Sequence, residues 1–399
     1  MGGNEIKTTN VLMKPELNCI MSGDNIGQVE APPIEELWGG IVDHVKNEYL
    51  SASQLFPWII GFSGGKDSTV VAQAVFEAIL NIPPSKRTRP IHIVSNDTMV
   101  ESPLVINHLN SVTKKIEAAA INLGLPITTA RTKPHPDKTF WVLLIGKGYP
   151  CPNKFMRWCT DRLKILPTSS YIKEQVSKSG AAIVVLGVRK DESQLRLRTI
   201  KKHRNLKGGF LSAHERLTGA FIFRPIENLT TFNVWEILLC FDAPWGGNHR
   251  DIIQLYKDAE GVECPVVLSQ DEAPSCGTSG SRFGCWTCTV IEKDKSLQAV
   301  VDSGGYQYKP LIEFRNWLRD IRDDPTMRQA IRRNGKLTFG ASGKQIPGPF
   351  TIKARKQILD RLLKVQEEFG QELITLQELD FIYQNWTAEL QDEKRLIDG

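Results

Sequence analysis

Pro57-Trp58-Ile59-Ile60-Gly61-Phe62-Ser63-Gly64-Gly65-Lys66-Asp67-Ser68 decides the fold. Residues 57–62 are a short apolar run, and Ser63 to Ser68 are turn-forming and polar. Beyond them Val70, Val71, Ala74, Val75, Ala78 and Ile79 recur at helical spacing. The segment therefore reads strand, glycine-rich loop, helix. Backbone N–H groups at such a turn, backed by a helix N-terminus, make an anion site. Lys66 adds a charge, and Ser63 and Ser68 add hydroxyls. The loop is not a Walker A motif, which requires glycine where Ile60 stands and Ser or Thr where Asp67 stands.

Working outward, the alternation continues. A helix is expected over 33–50, strands at 91–95, 126–131, 181–188 and 221–225, and helices at 103–123, 161–179 (kinked near Pro167) and 231–240. Strands alternating with helices imply a parallel sheet covered on both faces. Residues 243–290, rich in Pro, Gly, Ser and Cys, show no period and read as a long loop held by something other than a core. From 296 the chain is again helical, with a loop at 334–349. The expected division is an irregular, mobile segment 1–32, a nucleotide domain 33–242, a cysteine-rich loop 243–295 and a helical region 296–399.

The 399 residues are 41% hydrophobic and 24% charged, ordinary for a globular chain of this size. The formal net charge of +5 is mild, but it is unevenly spread. Residues 186–216 hold nine Lys/Arg against three acids, residues 305–364 fourteen against five, and the last 35 residues two against nine. Such basic stretches can face a polyanion or be solvated helix faces. No run reaches the ~18 apolar residues of a membrane helix, and Met1–Asn10 lacks a signal-peptide core. A cytoplasmic protein with no membrane partner is expected, its eight cysteines reduced.

Cys264, Cys276, Cys285 and Cys288, the last two as Cys285-Trp286-Thr287-Cys288, form a four-sulfur set suited to zinc or an iron–sulfur centre. Spacing alone does not choose between them. Cys159 lies between Arg157 and Arg162, whose charges favour a thiolate, and is the candidate sulfur carrier or nucleophile. Cys151 is second to it. Cys240 ends an apolar helix and reads as core.

Ser-Gly-Gly-x-Asp-Ser after a strand resembles the PP-loop signature, which in that superfamily grips the pyrophosphate of ATP. Arg157-Trp158-Cys159-Thr160, Lys164 and Pro167, then Leu186-Gly187-Val188-Arg189-Lys190-Asp191-Glu192-Ser193 with Arg196, then Pro225-Ile226 and Val234-Trp235, resemble phosphoadenosine-phosphosulfate reductases and their relatives. Arg189 and Arg196 could fork onto phosphate or sulfate oxygens, with Glu192 orienting one of them. With Ser95-Asn96-Asp97-Thr98-Met99-Val100-Glu101, Cys151-Pro152, Pro244-Trp245-Gly246-Gly247 and the cysteine loop, the order of motifs over residues 30–300 is similar to that of the DNA phosphorothioation sulfurtransferases, the DndC and SspD family.

That resemblance implies an adenine-nucleotide α-hydrolase-like α/β fold and an ATP pyrophosphatase. Ser63, Gly64, Gly65, Lys66, Asp67, Ser68, Arg189, Glu192 and Arg196 would hold ATP with Mg2+, and Lys66, Asp67, Cys159 and Arg189 would carry the chemistry. It also implies a 4Fe–4S cluster on Cys264, Cys276, Cys285 and Cys288. Its partners would be DNA, a cysteine desulfurase as sulfur donor, and other DNA phosphorothioation proteins. Reduction of adenylyl or phosphoadenylyl sulfate, or tRNA thiolation, would use a related site.

Overall fold

A computed structural model of the chain describes residues 32–51, 55–192, 197, 198, 200, 210–259, 284–333, 335–340, 343 and 345–398. Arg196, Cys264, Cys276 and the segment 1–31 lie outside them. So do most of the basic residues of 186–216, which the charge pattern left open between a polyanion face and solvated helix faces.

The centre is a six-stranded sheet of β1 (Trp58–Gly61), β2 (Ile91–Asn96), β3 (Ile127–Thr132), β4 (Ala182–Val185), β5 (Leu211–Ala213) and β6 (Ala220–Phe223). Its order is β3-β2-β1-β4-β6-β5, parallel throughout except for the antiparallel edge pair β5–β6. Trp58 pairs in register with Ile91 on one side and Ile183 on the other. The order reverses at β1, so loops leaving β1 and its neighbours diverge there and open a crevice at the carboxyl edge. Helices α1 (Ile34–Ser51), α2 (Lys66–Leu80), α3 (Pro103–Asn122), α4 (Leu166–Ser179) and α5 (Thr231–Cys240) cover the faces. The near-continuous apolar run of α2 (Val70 to Ile79) follows from burial on almost every side. Thr230 caps α5 in a reciprocal capping box with Asn233.

Three features depart from the sequence reading. The expected strand 181–188 pairs only over Ala182–Val185, and just beyond it Gly187 packs on the backbone of Asp67 and Ser68. The segment 161–179 begins as a π-helical turn, Thr160–Ile165, before α4, and a second π turn forms at Val142–Gly146. The expected structureless loop 243–290 contains a helix, α6 (Arg250–Ala259).

Beyond the sheet come α7 (Lys295–Asp302), α8 (Lys309–Ile321), a small hairpin of β7 (Thr338–Phe339) and β8 (Gln345–Ile346), α9 (Ile352–Phe369) and α10 (Leu376–Asp398). This helical region does not form a core of its own. Its buried residues (Leu311, Phe314, Leu318, Ile358, Leu362, Ile382 and Trp386 among them) share one cluster with Trp141, Leu144, Leu163 and Trp286. The Trp141 indole donates to the Leu373 carbonyl at 2.7 Å, and that of Trp386 to the Ile145 carbonyl at 2.9 Å. The 140–165 stretch, drawn with the nucleotide domain in the sequence, is thus held from the C-terminal side. No described helix is long and apolar enough to cross a membrane.

Candidate active site

The loop after β1 is pre-formed by its own serines. The hydroxyls of Ser63 and Ser68 lie 3.0 Å apart, the Ser63 oxygen accepts from the Gly65 amide at 3.3 Å, and the Ser68 oxygen accepts from the Ser63 amide at 3.3 Å. Gly64 sits at φ +76°, a left-handed conformation natural to glycine, and a Cβ there would press on Leu109. Gly65 is the N-cap of α2 and offers no side-chain acceptor, so the first-turn amides of that helix face the loop.

Lys66 and Asp67 are locked together. Lys66 Nζ is 2.8 Å from Asp67 Oδ2, and Arg189 Nε donates to Asp67 Oδ1 at 2.5 Å. Arg189, read from sequence as a fork for phosphate or sulfate oxygens, is 1% exposed. Its NH1 donates to the Leu229 carbonyl and the Thr231 hydroxyl at 3.3 and 3.2 Å and reaches Asp191 at 3.5 Å. In this arrangement it braces Asp67 and ties α2 to the start of α5. Glu192 accepts from the Arg189 amide at 3.3 Å, closing the turn after β4. Gly187 explains the glycine of Gly187-Val188-Arg189. A Cβ there would stand 2.9 Å from the Asp67 carbonyl carbon and oxygen and 3.1 Å from the Ser68 nitrogen.

The second half of the site lies one strand over. Residues leaving β2 run antiparallel to the cysteine pair. Glu101 bridges Cys285, the Ser102 amide donates to the Gly284 carbonyl at 2.9 Å, and the Trp286 amide to the Val100 carbonyl at 3.1 Å. Met99 takes φ +63°, rare for a side chain of its size, with its amide bonded to Asp97 Oδ1 at 2.9 Å. From the other side Arg315, fully buried, donates to the carbonyls of Cys288 (2.8 Å), Glu292 (2.7 Å) and Ile291. Thr289 donates to the Pro152 carbonyl at 2.7 Å. Trp286 is buried between Trp141 and Phe314.

These contacts enclose a cavity of about 70 Å³, room for a few waters or a small group, whose walls include Thr98, Arg157, Cys159, Lys164, Cys285 and Cys288. Cys159, read as a sulfur carrier, and Cys285 and Cys288, read as metal ligands, therefore face one space. Burial pushes the Cys285 thiol up to about 12, with Lys164 opposing the shift. Thr98 Oγ1 is 3.4 Å from its sulfur. Burial also raises Glu101, to about 6, against the nearby Lys164 ammonium. Cys285 and Cys288, spaced to share one centre and flanked by a lysine that would offset thiolate charge, fit half of a four-thiolate site. The other half, Cys264 and Cys276, lies outside the described residues. Among the described residues no group of three or more His, Cys, Asp or Glu could hold a metal ion.

Two cysteine readings need correction. Cys151, the second candidate carrier, is fully buried in the shared core, and burial pushes its thiol up to about 12, so it packs rather than reacts. Cys240, read as core, is exposed at the end of α5, because that helix buries Val234, Ile237 and Leu238 instead.

The basic stretch 305–364 is also less available than its charge count suggests. Arg315 and Arg328 hold backbone carbonyls, Arg355 holds the Gly146 carbonyl and Glu389, and Arg361 lies over the Trp317 ring. Sequence reading did not find Arg315 or Tyr256 of α6, whose roles depend on contacts far away in the chain.

A parallel sheet with a serine–glycine anion loop after its first strand, and polar loops gathered at the same carboxyl edge, defines the PP-loop class of nucleotide-utilising enzymes. The profile of the phosphoadenosine phosphosulfate reductase domain matches residues 57–291, more than half of the 399, and the chain belongs to that family. A curated relative, an uncharacterised protein of Methanocaldococcus jannaschii, is 26% identical over 204 residues, 51% of this chain. The match takes in 35% of that protein, so the chain spans about a third of its length.

Solved structures with a similar course include phosphoadenylyl-sulfate reductase from Candida auris in complex with phosphate, at 15% identity over 53% of this chain and 88% of that one, TM-score 0.30. Another is the U34-tRNA thiolase NcsA of Methanococcus maripaludis with its 4Fe–4S cluster, at 11% identity, 56% and 75% coverage, TM-score 0.32. A third is the ammonia-dependent NAD synthetase of Campylobacter jejuni, at 13% identity, 56% and 78% coverage, TM-score 0.35.

Proposed function

We propose that the chain is an ATP pyrophosphatase and sulfurtransferase that puts sulfur in place of a non-bridging oxygen of a DNA backbone phosphate. One observation carries this reading. The anion loop 63–68 leaves β1 and the loop 97–101 leaves the adjacent parallel β2, and the latter, through Thr98, forms one wall with Cys159, Cys285 and Cys288. A site for phosphate activation and a cluster of thiols therefore share one edge of one sheet.

In this reading ATP, with Mg2+, lies with its phosphates on residues 63–68, and Lys66 meets the charge that develops on departing pyrophosphate. Asp67, braced by Arg189, fixes the lysine. A non-bridging DNA oxygen attacks the α-phosphorus, and pyrophosphate leaves. A persulfide on Cys159 then attacks the activated DNA phosphorus as AMP departs. An external thiol attacks the Cys159 sulfur and cleaves the remaining S–S bond, so that the two electrons pass to the sulfur left on DNA as thiophosphate and Cys159 ends in a mixed disulfide with that thiol. Cys264, Cys276, Cys285 and Cys288 would hold a 4Fe–4S cluster, which would supply electron transfer. The sulfur comes from a cysteine desulfurase, in company with other DNA phosphorothioation proteins in the cytoplasm, and DNA contacts rest on phosphates.

A second reading, reduction of adenylyl or phosphoadenylyl sulfate, is favoured by the description of the matching family. Pyrophosphate release from ATP separates the two. Replacement of Lys66 by Ala should abolish it with the fold intact, whereas the reductase releases sulfite and no pyrophosphate.

A further inference from the structure

A side chain from α6 stands against the anion loop. The hydroxyl of Tyr256, on α6, accepts from the backbone amide of Lys66 at 3.4 Å. Its ring centre lies 5.4 Å from Lys66 Nζ. The ring also meets Trp235 edge-on, with centroids 4.9 Å apart. Helix α6 comes close elsewhere too. The Asp251 carboxylate acts on His108 of α3, and His108 bonds to the Gly64 backbone. Both α3, through His108, and α6, through Tyr256, therefore reach the anion loop.

The Lys66 amide is one of the first-turn donors of α2, with no side-chain cap before it. That is a donor which a phosphate oxygen takes at a helix N-terminus. A neutral phenol at this long distance is a weak acceptor. A charged phosphate oxygen bonds the same amide at shorter range and about twice as strongly. The two cannot hold the amide together.

We propose that Tyr256 is a place-holder in the nucleotide site, displaced by a phosphate group of the incoming ligand. Its hydroxyl accepts from the Lys66 amide, and its ring lies over the Lys66 ammonium. Phosphate entry exchanges both contacts and moves Tyr256 away from Trp235. The cost of that exchange is subtracted from ligand affinity, so Tyr256 tunes how much nucleotide the enzyme needs. This inference rests on the nucleotide reading of residues 63–68.

The test is calorimetric titration of the full chain with magnesium–ATP and, separately, with inorganic pyrophosphate. Tyr256→Phe keeps the ring against Trp235 and removes only the hydroxyl. Binding of both ligands should tighten about fivefold, the scale of one net hydrogen bond. Tyr256→Met, which also uncovers the lysine, should tighten both further. Unchanged affinity in both variants overturns the proposal. Weaker binding by Tyr256→Phe also overturns it, since the hydroxyl would then be bonding to the phosphate. Failure of the unaltered protein to bind either ligand removes the nucleotide reading itself, a result distinct from either of those.

Discussion

The two halves of the site are built differently. The anion loop is made by neighbours in the chain: β1, six loop residues and the first turn of α2, with Gly187 and Arg189 as the principal long-range supports. The thiol pocket is assembled from stretches near residues 98, 140–164, 284–291 and 315, scattered over more than two hundred positions. A local device survives in sequence as a motif, whereas an assembled pocket is visible only once the chain has folded. The difference predicts that the two halves fail independently.

Loss of a loop residue should have the largest effect. Lys66→Ala is expected to lower pyrophosphate release by at least two to three orders of magnitude, the scale of removing one electrostatic stabiliser, while the protein stays folded because Asp67 keeps Arg189 as its partner. If anaerobically purified wild-type protein contains iron, the variant should contain as much. Iron loss in this variant would join the two halves into one unit.

Arg315→Ala strikes the other half. It leaves the Cys288, Ile291 and Glu292 carbonyls without their donor and should cost about 3 kcal/mol or more by chemical denaturation, with loss of bound metal. Pyrophosphate release from the folded fraction should persist. Its disappearance would mean that the thiol pocket supports the loop directly.

The anion loop was legible because its chemistry sits in consecutive residues. The strand–loop–helix unit and the parallel alternation follow from period and turn residues. Helix α6 was not legible. It is short, follows Pro244-Trp245-Gly246-Gly247, and leads into a segment without period. The common space of Cys159, Cys285 and Cys288 was hidden because it depends on the antiparallel pairing of Val100–Ser102 with Gly284–Trp286. The destination of the arginines was hidden for the same reason. Counting charge in 305–364 left a polyanion surface and solvated helix faces both open, whereas Arg315, Arg328 and Arg355 face backbone carbonyls.

A titration provides a subtler contrast. His249, packed beside Trp245 and bonded to Gln73 at 2.7 Å, has its pKa pushed down to about 4 by burial. Its folded value is below its unfolded value near 6.5, so the unfolded chain binds the extra proton first. The stability contribution is complete above about pH 6.5 and declines as pH falls toward 4, by at most about 3 kcal/mol. Denaturation at pH 7 and 5 should show the loss, and His249→Gln should remove most of the slope. An unaltered slope would assign it to other groups.

Gly187→Ala should be milder than either loss of a loop lysine or of Arg315. Its Cβ would push on the Asp67 and Ser68 backbone, costing about 2 kcal/mol and slowing pyrophosphate release without affecting the thiol pocket. The smallest effect is expected at Cys240. Cys240→Ser should change stability by less than about 0.5 kcal/mol, because the side chain is exposed.

The most direct measurement offers the purified protein ATP and phosphoadenylyl sulfate in parallel, with and without DNA, and follows pyrophosphate and sulfite. Activation of a DNA phosphate on the loop 63–68 predicts pyrophosphate from ATP, stimulated by DNA and lost in Lys66→Ala, with no sulfite from the sulfate ester. Sulfite release without pyrophosphate would contradict it and make the thiol pocket a reductase site.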